Sequence, residues 1–123
     1  QGSTDSVQPT IIPGTFTNGN TITFGNGLDI ISDFTAGPLG DKLDLDSSSS
    51  AISAIGVLTS SLASGTNYYL SGSYSGNVFT ISADGVGSDT LIIQGTGAAF
   101  SSNASSVLLG LVNSNNLVAG NFI

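Results

Sequence analysis

Cysteine, histidine, tryptophan and methionine are absent from this chain of 123 residues, and Lys42 is its single basic side chain. The lack of cysteine excludes disulfides and thiol chemistry. The lack of histidine removes the usual general base at neutral pH and, together with the lack of cysteine, most transition-metal sites. A serine activated by Lys42 would need a neutral lysine, but the aspartates close to it in sequence favour its charged form. We therefore expect a protein that is not an enzyme.

Negative charge dominates the chain, which has eight acidic side chains and a net charge of −7. Such a surface repels phosphate groups, so we expect neither nucleic acid nor an anionic membrane as a partner. No apolar run is long enough to form a transmembrane segment. All the acidic residues are aspartates, whose short side chains keep the carboxylate close to turn carbonyls that can share a bound cation. The composition therefore favours a divalent cation as the partner of these carboxylates.

Short β-prone runs, separated by glycine, asparagine and serine, follow one another from residue 9 to the end of the chain. The runs are TIIPGTFT, NTITF, LDIISDF, DKLDLD, TNYYL, NVFTISA, DTLIIQG and SVLLGLV. Their number and spacing predict an all-β fold, a β-sandwich or β-roll-like domain of about eight short strands. The length suits one domain, so we predict a flexible arm over residues 1–8 and a single calcium-stabilised domain over residues 9–123.

Three local patterns refine this outline. One short helix is predicted within DSSSSAISAIGVLTSSL, because Ile52, Ile55 and Leu58 recur at helical spacing after serines that can cap a helix, with an irregular loop as the alternative. The segment TNGN at residues 17–20 predicts a tight turn. The segment SGSYSGN, Ser71 to Asn77, predicts a longer hairpin loop between two strands that pair.

Two segments share the pattern Gly-x-Gly-x-Asp-x-apolar: GNGLDII, which begins at Gly25, and GVGSDTL, which begins at Gly85. Glycines permit backbone conformations that turn carbonyl oxygens towards a cation, and the aspartate two residues later adds a charged oxygen ligand. The apolar residue that follows returns the chain to the core. We therefore predict that Asp29 and Asp89 bind calcium, the alternative being that each carboxylate only caps its own turn.

Further aspartates lie near these two motifs. In an extended strand Asp33 shares a face with Asp29 and Ile31, while Ile30 and Phe34 point to the other face, so Asp33 either joins the calcium site or faces solvent. Asp84 begins the second loop and can bind the same ion as Asp89.

The segment DKLDLD places Leu43 and Leu45 on one strand face and Lys42, Asp44 and Asp46 on the other. A solvated face in which Lys42 balances one carboxylate is one interpretation, and we favour it for Asp46. We assign Asp41 and Asp44 to a metal site. The predicted calcium ligands are thus Gly25, Gly27, Asp29, Asp33, Asp41, Asp44, Asp84, Gly87 and Asp89.

Both glycine-aspartate motifs are similar to the Gly-Gly-x-Gly-x-Asp-x-apolar-x nonapeptide of RTX calcium-binding proteins, with Phe24 and Asp84 in place of the first glycine. GLDIISDFTAGPLGDKLDLD resembles the segment with which RTX proteins enter their C-terminal part. FTISADGVGSDTLIIQGTG and LVNSNNLVAGNFI resemble the final hairpin and C-terminal end of such secreted proteins, surface-layer and adhesin types included. The resemblance covers residues 19–123.

The resemblance implies type I secretion through an uncleaved C-terminal signal, followed by folding in extracellular calcium. This agrees with the start of the chain, QGSTDSVQPT, which lacks the features of a cleaved signal peptide. We expect an extracellular or cell-surface, non-enzymatic structural or assembly module of a bacterial surface layer, matrix fibre or adhesin, with Ca²⁺ as its cofactor. The alternatives are the C-terminal secretion and folding domain of a larger exoprotein, or a calcium-dependent glycan-binding module that uses Tyr68, Tyr69 and Tyr74.

Self-association is predicted through exposed β edges. The apolar C-terminal segment VLLGLVNSNNLVAGNFI forms either an edge strand of its own domain or a strand that docks into a neighbouring subunit. The N-terminal arm leading into PTII can supply a complementary strand. Head-to-tail exchange of this kind builds open polymers.

Overall fold

The computed structural model describes residues 14–24, 29–44, 50–95, 97, 100 and 106–122. Seven strands form one sheet: β1 (Thr21–Thr23), β2 (Ile30–Ile31), β3 (Ala51–Ser53), β4 (Asn67–Ser75), β5 (Val78–Ile81), β6 (Asp89–Gln94) and β7 (Ser106–Leu109). Two short 3₁₀ helices, Ser114–Asn116 and Ala119–Asn121, follow β7. The predicted all-β class is confirmed, and the strands lie in one open sheet. The predicted arm at residues 1–8 lies outside the described residues.

The sheet is built around β4, its longest strand. Its order is β1-β5-β4-β6-β7-β2, and β3 also pairs with β4. On one side β4 pairs antiparallel with β6, and on the other it pairs with β3 near its start and with β5 near its end. The β3–β4 and β2–β7 pairs are parallel, and the other pairs are antiparallel. Among the described residues β1 and β2 are the end strands.

Both faces of the sheet are covered. In β6 the side chains of Leu91 and Ile93 enter one hydrophobic cluster, and that of Ile92 enters a second cluster. The alternation follows from the pleat of the strand, and a run of apolar residues is expected where both faces of a strand are buried. The larger cluster includes Phe16, Ile22, Phe24, Leu62, Phe79 and Phe100, and the smaller one includes Phe34, Leu43, Leu109, Val112 and Phe122.

The helix predicted around Ile52 and Ile55 is wrong over the described residues 50–62. Residues Ala51–Ser53 form β3, and Gly56 adopts a φ of 82°, which no right-handed helix contains. The free edge of β4 supplies backbone partners for this segment, and the pairing continues as Ala54 N donates to Tyr69 O at 2.8 Å. Sheet pairing therefore overrides the three-residue spacing of the apolar side chains.

The hairpin between β4 and β5 is tighter than predicted. The pairing is confirmed, since Tyr74 lies opposite Phe79, but the strands extend so far that only Gly76 and Asn77 form the turn. Their φ values are 57° and 65°, as in the two-residue turns that match the twist of the strands. The tight turn at residues 17–20 is confirmed, with Asn20 N donating to Thr17 O at 3.0 Å.

The two aspartate-rich segments, around β2 and around Leu43, differ in whether their side chains follow the predicted alternation. β2 has only two residues and the chain bends after it, so Ile31 and Phe34 pack in the same cluster while Ile30 is half exposed. The predicted alternation from Asp29 to Phe34 is therefore wrong. Around Leu43 the alternation is confirmed as far as residue 44, since Leu43 is buried and its two neighbours are exposed. Leu45 and Asp46 lie outside the described residues.

Candidate functional site

The aspartate of the second motif, Asp89, is a buried carboxylate that joins three segments of the chain. It is 8% exposed and begins β6. Its Oδ2 accepts the N–H of Tyr74 on β4 at 2.9 Å, and its Oδ1 accepts the N–H of Leu111 after β7 at 2.9 Å. A carboxylate offers about four acceptor positions. The two hydrogen bonds therefore hold the sheet together at this end without exhausting the lone pairs of Asp89.

The glycines of the same motif are required by packing. Gly87 has a φ of 114°, and a Cβ at this position would lie 2.5 Å from the carbonyl oxygen of Gly72 in β4. Gly85 has a φ of 79°, and a Cβ there would meet the side-chain amide of Asn115. At Gly87 the loop thus approaches the backbone of β4 too closely for a side chain, and at Gly85 the positive φ favours glycine. The glycines of this motif therefore have a structural role whether or not a metal binds.

The carbonyl oxygens of this loop converge on an amide of the chain itself. Asn113 Nδ2 donates to Gly85 O at 2.8 Å and to Gly87 O at 3.2 Å, while its Oδ1 accepts the N–H of Asn115 at 2.9 Å. Carbonyl oxygens turned inward by glycines are the ligands that the sequence predicts for calcium. In the second motif two of them are already satisfied by Asn113, a residue that the sequence analysis did not identify.

A small polar network continues from this loop into the sheet. The hydroxyls of Ser71 and Ser114 lie 2.7 Å apart, and Ser71 Oγ accepts the N–H of Gly85 at 3.0 Å. Both serines are buried. Buried hydroxyls are tolerated where they are hydrogen-bonded, so the network fixes the loop between β5 and β6 against the first 3₁₀ helix.

Asp84, at the exposed tip of this loop, accepts a hydrogen bond from the hydroxyl of Tyr69 at 3.0 Å. Burial raises the pKa of Tyr69, and the hydrogen bond to Asp84 and the negative charge of that carboxylate raise the pKa further. The carboxylate predicted to share an ion with Asp89 is therefore engaged by a side chain from β4.

A second cluster of contacts joins the loop at residues 35–41 to the C-terminal segment. Asp41 Oδ2 accepts the N–H of Thr35 at 2.7 Å, and Thr35 O accepts the N–H of Asp41 at 2.7 Å, which closes the loop. Asn121 is fully buried and makes four side-chain hydrogen bonds. Its Oδ1 accepts from Gly37 N and Val118 N, and its Nδ2 donates to Gly37 O and Asp41 O.

Lys42, the single basic side chain of the sequence, contacts the C-terminal segment. Its Nζ donates to the carbonyl oxygen of Gly120 at 2.8 Å. The neighbouring backbone is held as well, because Leu43 N donates to Asn121 O at 2.7 Å and Leu43 forms a bridge with Phe122. The C-terminal segment therefore packs on its own domain, and β7 lies inside the sheet and is not an edge strand.

The predicted calcium ligands are distributed over three places. Asp29 and Asp33 flank β2, Asp41 and Asp44 flank Leu43, and Asp84, Gly87 and Asp89 lie at the loop before β6. Gly25 and Gly27 lie outside the described residues. Within the described ranges no three acidic side chains come together as a group that can hold a metal. The structure thus brings the second-motif residues together, but it does so through hydrogen bonds within the chain.

The three tyrosines do not form one aromatic surface. Tyr68 is buried in the larger cluster and accepts the N–H of Ala63 through its hydroxyl at 3.0 Å. Tyr69 packs against the smaller cluster on the other face, and Tyr74 packs edge-on against Phe24. Successive residues of a strand point to opposite faces, which explains why adjacent tyrosines separate.

Comparisons with family models, with curated proteins and with solved structures gave no match to this chain. In the part of the chain that the structure describes, no helix is both long enough and apolar enough to cross a membrane.

Proposed function

We propose that this chain is a non-enzymatic, calcium-dependent structural module of an extracellular bacterial assembly, of surface-layer, matrix-fibre or adhesin type, and that copies associate through a sheet edge. The observation that carries the proposal is the position of β1 at the end of an open sheet. Among the described residues no strand lies beyond it. An uncovered edge is a template for another strand.

The backbone of β1 is oriented for such pairing. Phe24 N donates to Asn77 O, and Asn20 O accepts from Ile81 N, so the even-numbered residues of this segment face β5. Backbone groups alternate in direction along a strand. The N–H and C=O groups of Thr21 and Thr23 are therefore directed away from β5, towards the side on which no described strand lies. Both side chains are exposed and uncharged, so neither adds to the repulsion between acidic chains.

The edge is tested by replacing one residue on it. Thr23→Pro removes an outward N–H while leaving the bonds to β5 in place, and Thr23→Val keeps that N–H and is the matched control. In calcium we expect the parent and Thr23→Val to grow into large species by light scattering at high protein concentration, and Thr23→Pro to stay small. A parent chain that stays monodisperse and monomeric contradicts assembly through this edge.

The calcium dependence is supported by the charge of the chain. Eight carboxylates with one cation repel one another in a compact state, and calcium would relieve this repulsion and stabilise the folded form by mass action. We propose that the calcium-dependent step involves Asp29 in the first motif, with Asp33 as the neighbouring carboxylate.

A comparison of two variants separates the metal role from the structural role. Asp29→Asn should reduce the gain in melting temperature that calcium gives over chelator. Asp89→Asn should lower the melting temperature equally in calcium and in chelator, because it places an amide N–H₂ against a backbone N–H that the carboxylate now accepts. A parent whose melting temperature is the same in calcium and in chelator refutes the calcium proposal, whatever the outcome for the edge.

A further inference from the structure

A small cavity lies between the start of β3, the strand β4 and the C-terminal segment. Its volume is about 170 Å³, less than a drug-sized ligand needs, so it suits a group the size of one side chain. Its lining includes Tyr69, Ser114, Leu117, Val118 and Phe122, and none of the described lining residues is charged. Val118 is exposed, whereas Ser114 and Phe122 are buried, so the cavity opens to solvent and ends at the smaller cluster. We call it the Tyr69 cavity.

The carboxylate of Asp84 lies beside this cavity, at the side formed by Tyr69 and Ser114. Its Oδ2 accepts the hydroxyl of Tyr69 at 3.0 Å. The next residue, Gly85, donates its N–H to Ser71 Oγ, which lies 2.7 Å from the hydroxyl of Ser114. Asp84 is exposed, and no hydrogen bond joins its Oδ1 to any residue that the structure describes. Since a carboxylate offers about four acceptor positions, Asp84 can still accept a donor from a ligand.

The single basic side chain of the sequence lies at a different side of the cavity. Lys42 Nζ donates to the carbonyl oxygen of Gly120 at 2.8 Å, and the neighbouring residue Ala119 lines the cavity. Ala119 belongs to the second 3₁₀ helix and Ser114 to the first. The positive charge is therefore next to one helix and the negative charge of Asp84 next to the other. A cationic group that enters the cavity is directed towards Asp84.

The charge of the chain selects the class of ligand. A net charge of −7 attracts cations and repels carboxylates, phosphates and other acidic chains. Calcium needs six to eight oxygen ligands, and within the described ranges no three acidic side chains come together to supply them. The ligand that fits a largely apolar cavity with one carboxylate beside it is an organic cation with an apolar part.

A lysine side chain has both parts. Its methylene stem packs along apolar surface, and its compact ammonium, with three donors, reaches a charged or polar group at the end. Leu117, Val118 and Phe122 match the stem, and Asp84 matches the ammonium. We propose that the Tyr69 cavity receives a lysine side chain of a basic partner protein, with the ammonium bound at Asp84. This partner is distinct from the copies that associate through the β1 edge.

The test is an NMR titration of the parent with two probes, acetyl-lysine methylamide and acetyl-norleucine methylamide. The norleucine probe keeps the apolar stem and lacks the ammonium. Calcium concentration and temperature are set so that every protein is folded by circular dichroism. We expect the lysine probe to shift the amide signals of Tyr69, Leu117 and Val118 and to bind roughly twofold to fivefold more tightly than the norleucine probe, as for an exposed ion pair. Sodium chloride should reduce this preference by screening.

Variants assign the preference to Asp84. Asp84→Asn keeps an acceptor for the hydroxyl of Tyr69 but removes the charge, so the two probes should then bind equally. Asp33→Asn, at an exposed carboxylate beside β2, makes the same change of charge and is the matched control that should keep the preference. Thr23→Pro should also keep it, which separates this site from the β1 edge. Equal binding of both probes to the parent, an equal loss in both Asp variants, tighter binding of methyl glucoside at the same signals, or no lysine-dependent shift would each overturn the proposal.

Discussion

Replacing Asn121 by alanine should weaken the contact between the C-terminal segment and the loop at residues 35–41 and so destabilise the protein. The substitution removes four side-chain hydrogen bonds from a fully buried position: those to Gly37 N, Gly37 O, Val118 N and Asp41 O. A typical net contribution is about 1 kcal/mol for each bond, and water can reach the two exposed partners, so we expect a loss of about 2–4 kcal/mol. For a domain of this size that loss lowers Tm by roughly 8–20 °C.

The measurement is urea unfolding followed by circular dichroism, with Asn116→Ala as control because Asn116 is exposed on the neighbouring 3₁₀ helix. The control should change the unfolding free energy by less than about 0.5 kcal/mol. Asn121→Asp sharpens the test. It keeps the shape but turns an acceptor oxygen towards the carbonyls of Gly37 and Asp41, so at neutral pH it should destabilise at least as much as alanine.

The pH dependence of Asn121→Asp has a defined sign. Burial against two carbonyl oxygens raises the pKa of the introduced carboxyl, because the charged form is disfavoured. Relative to the parent at each pH, the destabilisation should therefore decrease as the pH falls and the carboxyl becomes protonated and able to donate. If Asn121→Ala costs less than about 1 kcal/mol, or if Asn121→Asp equals the parent at neutral pH, the hydrogen-bonded role of Asn121 is refuted.

Two further predictions concern the loop before β6 and its contact with β4. Gly87→Ala should lower the unfolding free energy by about 2 kcal/mol or more, because it adds a Cβ against Gly72 O at a φ of 114°; a neutral effect in thermal melting would contradict the packing described. Tyr69→Phe should flatten the alkaline limb of the stability curve. The pKa of Tyr69 is raised on folding, so its contribution is present below the unfolded pKa of about 10 and is lost as the pH rises through the folded pKa. Parallel unfolding curves for parent and variant above about pH 10 would exclude this.

Strand positions could be predicted from the sequence because local composition determines them. The runs NTITF, TNYYL, NVFTISA, DTLIIQG and SVLLGLV all contain strands of the sheet. The Asn-Gly turn before β1 also formed as its residues predict. These features depend on neighbouring residues alone, and β-branched and aromatic residues between glycines and asparagines provide that signal directly.

The structural features that the sequence did not predict depend on pairing between residues distant in sequence. The spacing of Ile52 and Ile55 suits a helix when viewed alone, but the edge of β4 takes the segment as a parallel strand. The site predicted from the sequence omitted two asparagines because their contacts are also long-range. Asn113 and Asn121 fasten their loops through amides that find backbone groups distant in sequence. An asparagine near the C-terminal end carries no local sign of such partners; only the Asn-rich run NSNN, typical of a cap, hinted at Asn113.

The parallel pairing of β2 with β7 has a consequence for the order in which the chain acquires its structure. Ile30 and Ile31 can pair only after Leu108 and Leu109 are available, and Gly37 meets Asn121 across 84 residues of sequence. Contacts between distant residues require the closure of long loops and slow folding. The acidic segment around β2 is thus expected to stay open until almost the whole chain is present, and to close as one of the last steps.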